Sequence, residues 1–188
     1  MLRTILPVRC FALGYRIWRK QNRTDLWSEN LFDSDKVLQT FFDSCFNAGP
    51  SGCSFYASSP EAISRNLEKL YDITKSRPFP VFRNTSSSYG LVDYNFLRIT
   101  VFVSLYFPYS SFPPLAHALA ELSKGNAEPL WEIGPNQGTP VADAMIAIGC
   151  NDGDRIPGTL EDAEVYFEEL LKTSEWADVW ARLRISCS

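Results

Sequence analysis

Ser51 stands in the stretch CFNAGPSGC, Cys45 to Cys53, with Gly49 two positions before it and Gly52 directly after it. The pattern is one residue away from the G-x-S-x-G turn that presents a nucleophilic serine between a strand and a helix. Such a serine needs a base to take its proton and a third group to orient that base. His117 is the one histidine of the chain, so it is the one imidazole on offer. It falls mid-helix in LAHALAEL, where a histidine more often packs or faces solvent than acts as a base. The turn itself also disagrees with an elbow. Apolar spacing predicts a helix before it, Cys53 takes the second glycine's place, and Pro50 has no N–H. The stretch therefore reads as a turn between two cysteines.

Other constellations are weaker still. The five cysteines, Cys10, Cys45, Cys53, Cys150 and Cys187, make no C-x-x-C pair, and one histidine completes no Cys/His zinc site. CNDGD gathers carboxylates, but a calcium loop begun at Asn151 needs glycine where Ile156 stands. It reads as a turn before a helix whose early acids suit the positive end of the helix dipole. The expectation is no metal, no cofactor and no catalytic residue. Paired carboxylates of the glycosidase kind stay open, since 22 acids offer many accidental pairs.

Charge is split along the chain. Residues 1–23 carry six basic residues, Arg3, Arg9, Arg16, Arg19, Lys20 and Arg23, and no acid. From Thr24 onward 12 basic residues face 22 acidic ones. An acidic body speaks against nucleic acid as a partner, because phosphate contacts need a basic surface. The basic start, residues 1–25, has no apolar centre long enough for a secretory signal. It is Arg-rich and acid-free, which weakly resembles a transit peptide. Without the Ser richness and amphipathic helix of one, it reads first as an atypical, poorly packed leader or as sequence joined on by an incorrect gene start. No run of 18 apolar residues predicts a membrane span. Asn22 and Asn84 each open an N-x-S/T sequon, which with the cysteines fits an oxidising, secretory compartment.

The elements that would position these residues are mainly helical, about six helices with short extended segments. With 45% hydrophobic and 14% aromatic residues, the chain can build one sizeable core or two small ones. Val37, Leu38, Phe41, Phe42 and Cys45 share a helix face, capped by Asp33 or Ser34 and stopped at Gly49-Pro50. Ser59-Pro60 begins a second helix with Ile63, Leu67 and Leu70 inward. Residues 76–92 read as loop with one short extended piece, RPFPVF. DYNFLRITVFVSLYFP reads as a helix capped by Asp93 and ended by Pro108; its β-branched centre leaves a strand open. PPLAHALAELSKG is a helix with Leu115, Leu119 and Leu122 on one face. Residues 126–140 read as a long loop, and AMIAIGC as a short apolar element of open type. Thr159 caps a helix expected to bury Leu160, Ala163, Phe167, Leu170 and Leu171. Ser174 caps the last, with Trp176, Val179, Trp180 and Leu183 inward.

Taken in order, these blocks resemble one family. WSENLFDSDKVLQTFFDSCFNAGPSGCSF is similar to the start of the lid in tripeptidyl-aminopeptidase-like α/β-hydrolases, especially the secreted fungal ones. VFVSLYFP with FPPLAHALAELSKGN, then AIGCND, TLEDAEVYFEEL and SEWADVWARLRISC, follow the family's order over residues 26–188. The family's nucleophile elbow precedes the lid, and its triad Asp and His follow it. No G-x-S-x-G precedes Trp27 and the sequence ends at Ser188, so no catalytic residue carries over.

The resemblance implies a fold like an isolated lid domain, preceded by the atypical leader. It implies a non-catalytic, lid-bearing fragment of a secreted serine hydrolase, a peptidase or esterase, shaping the substrate pocket of the parent. The partner is then the parent's hydrolase core, and a peptide or ester substrate is met only in that setting. It implies disulfides Cys45–Cys53 and Cys150–Cys187 with Cys10 unpaired. It also implies an apolar patch of Phe96, Phe102, Phe107 and Phe112 left open where the core would rest. The alternative is a free-standing helical binding module derived from the lid.

Overall fold

Polar Asp33 and Ser34 stand before the first apolar repeat, and a helix starts there. The structure, a computed structural model, describes residues 28–83, 88–135, 147, 150 and 158–185. The chain divides into two compact units, residues 33–137 and residues 1–32 with 138–188. The first unit runs α1 (Ser34–Gly52), α2 (Pro60–Ser76), β1 (Phe79–Arg83), β2 (Ser88–Val92), α3 (Tyr94–Ser104), α4 (Pro108–Ser123) and α5 (Glu128–Ile133). The second holds a 3-10 turn (Ser28–Leu31), α6 (Leu160–Leu171) and α7 (Ala177–Ile185). The described chain is thus mainly α, with seven α-helices and one two-stranded sheet.

Side-chain caps set the starts of α2, α3 and α6. Ser59 accepts the Ala62 N–H at 3.2 Å while Pro60 fills the first helical position, where its missing donor costs nothing. Asp93 accepts the Phe96 N–H at 2.8 Å and opens α3 as a helix, not a strand. Thr159 accepts from Asp162 N–H, and Ser174 from Trp176 N–H, each at 3.2 Å. Asp33 behaves differently. It adopts a left-handed conformation (φ 66°), and its carboxylate pairs with Lys36 instead of capping.

The core of the first unit lies between α1, α2, α3 and α4. Leu38, Phe41, Phe42 and Cys45 of α1 are buried, as are Ile63, Leu67 and Leu70 of α2. Leu97 and Val101 of α3 and Leu115, Leu119 and Leu122 of α4 complete it. The Phe41 ring meets Phe112 edge-on, centroids 5.1 Å apart. Buried Thr100 and Ser104 donate to the Phe96 and Thr100 carbonyls of their own helix, at 2.7 and 2.8 Å, so neither hydroxyl is stranded. In the second unit Tyr166 and Leu170 of α6 and Trp176, Val179 and Trp180 around α7 are buried, with Leu183 half-buried.

Four sequence expectations are corrected. The loop over 76–92 contains an antiparallel hairpin, Phe79 opposite Val92 through Arg83 opposite Ser88. The loop over 126–140 contains α5. Pro108 does not end α3, which stops at Ser104; it opens α4. On α6, Leu160 and Leu171 are exposed at 75% and 51%. Eleven residues is close to three turns, so these two share one side of α6, away from the Tyr166–Leu170 stripe. AMIAIGC, apart from Ala147 and Cys150, lies outside the described residues.

Candidate interaction surface

Gly49 has φ 72°, a conformation glycine reaches without strain, and it breaks α1 before a last short turn. Cys53 N–H donates to the Gly49 carbonyl at 2.9 Å. The Cys45–Cys53 disulfide, Cα atoms 5.2 Å apart, closes the turn. Ser51 is exposed in this turn, and His117 is exposed on α4. Among the described residues no hydrogen bond joins them, so the arrangement provides no serine–base pair. No group of three His, Cys, Asp or Glu side chains among the described residues is placed to hold a metal ion.

Described residues of the first unit line two clefts. One, about 380 Å³, lies between residues 54–56, α2 and the end of α4, lined by Tyr56, Asn66, Lys69, Leu70, Ile73 and Lys124 among others. Glu121 accepts Lys124 Nζ at 2.7 Å and Asn126 Nδ2 at 3.2 Å. Those two bonds, with the charge of Lys124, hold its carboxyl below the usual carboxylate range. The other, about 310 Å³, is floored by Phe41, the Cys45–Cys53 bridge, Phe112 and Ala116. Neither is lined by Ser51 or His117.

The larger feature is apolar and exposed. Around the junction of α3 and α4, Val103 of α3, Tyr106 and Phe107 between the helices, and Tyr109 of α4 are all open to solvent, Phe107 at 66% and Tyr109 at 99%. Partial burial of Tyr106 pushes its phenol pKa up. Of the four phenylalanines expected on this face, Phe107 is exposed and Phe112 half-buried, while Phe96 and Phe102 are buried. Phe96 turns inward because Trp131 of α5 stacks on it, centroids 5.0 Å apart and planes 18° from parallel. The hairpin adds a second apolar face. Pro80, Phe82, Tyr89 and Leu91 alternate outward, Phe82 at 73% and Tyr89 at 79% exposed, while Val81 and Val92 are buried.

Sequence reasoning missed Trp131, the hairpin face, and Arg98. Arg98 is buried in α3 with its guanidinium 5.0 Å from the Tyr71 ring centre. An arginine inside FLRITVFV carries no sequence mark of that placement. Cys150 is disulfide-bonded. Its expected partner Cys187 lies outside the described residues, as do Cys10 and the sequon residues Asn22 and Asn84. No helix among the described residues is long and apolar enough to cross a membrane. Comparison with models of known protein families, with curated proteins and with solved structures finds no match to this chain.

Proposed function

We propose that this chain is a non-catalytic, lid-type docking module. Its open aromatic corner rests on a partner surface, the hydrolase core of a parent serine peptidase or esterase, and there helps to shape the pocket for a peptide or ester substrate. The observation that carries the reading is the run of exposed Val103, Tyr106, Phe107 and Tyr109 at one corner of the first unit. A cluster of large apolar side chains in water marks a surface with a missing cover.

A second reading, a free-standing helical binding module, is favoured by one feature. The unit 33–137 has its own buried core, with Ile63, Leu97, Leu115 and Leu119 each at 0% exposure, and its own disulfide.

Hydrophobic-dye binding by the purified chain separates the two. The docking reading expects strong dye fluorescence that falls in a Phe107→Ser, Tyr109→Ser variant with unchanged circular dichroism. A compact chain that binds no dye would end the docking reading and leave the free-standing module. Fluorogenic aminopeptide and ester substrates, with a serine-reactive probe, test the chemistry. Turnover abolished by Ser51→Ala would overturn the non-catalytic role.

A further inference from the structure

Among the described residues β1 and β2 form a sheet of two strands, so each strand has one edge with no described strand beside it. Pro80 reveals which backbone groups face those edges. It lies opposite Leu91 and has no N–H, so this pair cannot exchange two N–H···O bonds. The reciprocal bonds therefore belong to Phe79 with Val92 and to Val81 with Gly90. The backbone groups of Pro80, Phe82, Tyr89 and Leu91 point the other way. On β1 that edge is blunted, because Pro80 offers no donor. On β2, Tyr89 and Leu91 each present an N–H and a C=O, and the described residues hold no further hydrogen bond to either.

These four groups are complementary to themselves. A two-fold axis at Gly90 places Tyr89 opposite Leu91 of a second copy, and Leu91 opposite its Tyr89. Each pair exchanges two bonds, which satisfies all four groups of both strands. Gly90 then meets its own equivalent in the close position, about 4.5 Å between Cα atoms, where a missing side chain removes crowding. The outward faces join into one apolar strip, and none of Pro80, Phe82, Tyr89 and Leu91 carries the charge that commonly guards an edge. We infer that β2 pairs with β2 of a second copy, making a four-stranded antiparallel sheet across a two-fold axis. Strands of five residues cover less than the ~800 Å² per partner of a standard interface, so the dimer is weak and concentration-dependent.

Sedimentation of the full chain from micromolar to millimolar concentration, with amide exchange at each end of the series, tests this. The expected result is a dimer at the upper end. The Tyr89 and Leu91 amides should slow about tenfold when nine-tenths of the chain is dimeric, while the Val81 amide changes little. Leu91→Pro removes an outward donor and no bond to β1, so it should remain folded and monomeric. A chain that stays monomeric throughout overturns the inference. So does a dimer in which the Tyr89 and Leu91 amides exchange freely, or a folded Leu91→Pro chain that still dimerises. Protection that arises only with an unrelated extended peptide also overturns it. If Leu91→Pro does not fold, exchange at Leu91 in the unaltered chain decides alone.

Discussion

Gly90→Ala puts one methyl group into a place that Trp131 already occupies. A Cβ at Gly90 would lie 2.0 Å from Trp131 Cη2, 2.4 Å from Cζ2 and 2.5 Å from Cζ3. Atoms do not approach so closely, so the indole or the hairpin must move. Moving the indole disturbs its stack on Phe96, and a Cβ at Gly134 would likewise meet Phe96 Cζ at 2.1 Å, so Phe96 has little room to follow. Overpacking costs about 1–3 kcal/mol. Loss of an aromatic pair adds about 0.5–1.5 kcal/mol. Against this, alanine limits the unfolded chain and returns about 0.4–1 kcal/mol. The expected net loss is about 2 kcal/mol, within a range of about 0.5–4 kcal/mol, read by urea unfolding and by amide exchange at Leu97 of α3. A double-mutant cycle with Trp131→Ala isolates the cause. With the indole gone, Gly90→Ala should cost nothing, a coupling of about 2 kcal/mol, as residues in direct contact show. Equal costs in both backgrounds, or a Gly90→Ala chain as stable as the parent, would refute the packing argument.

Three further outcomes are expected. Cys45→Ala with Cys53→Ala opens a loop of sequence separation 8 and should lower the stability of the first unit by about 2.5 kcal/mol by the loop-entropy rule, measured by urea unfolding without reductant. Asp93→Ala removes the 2.8 Å bond to the Phe96 N–H and should cost about 1 kcal/mol, with faster amide exchange in the first turn of α3. The Glu121 carboxyl is held below its ordinary range by Lys124 and Asn126. Its folded pKa is lower than its unfolded one, so its small contribution is present above the unfolded pKa and is lost as pH falls through the folded one. An NMR titration should place its midpoint below the usual glutamate range, and Lys124→Ala should raise it.

The starts of α2, α3 and α6, the turn at Gly49 and several inward faces were determined by sequence alone. Ser59, Asp93, Thr159 and Ser174 each bond an amide two or three residues ahead, so a few neighbouring residues contain the whole interaction. The same holds for Gly125 after α4, at φ 93°, a conformation few other residues adopt. Tertiary structure decided what covers each face. Phe96 and Phe107 are both aromatic residues near α3, yet one is buried and the other is exposed at 66%. The difference is Trp131, which reaches Phe96 and Gly90 from a segment that reads locally as loop. Leu160 and Leu171 of α6 likewise follow helical spacing, but their side is not the one that packs. Periodicity specifies which residues share a side of a helix. It says nothing about which side finds a neighbour, because that neighbour comes from a distant part of the chain. The exposed corner and the open β2 edge are what that packing leaves uncovered.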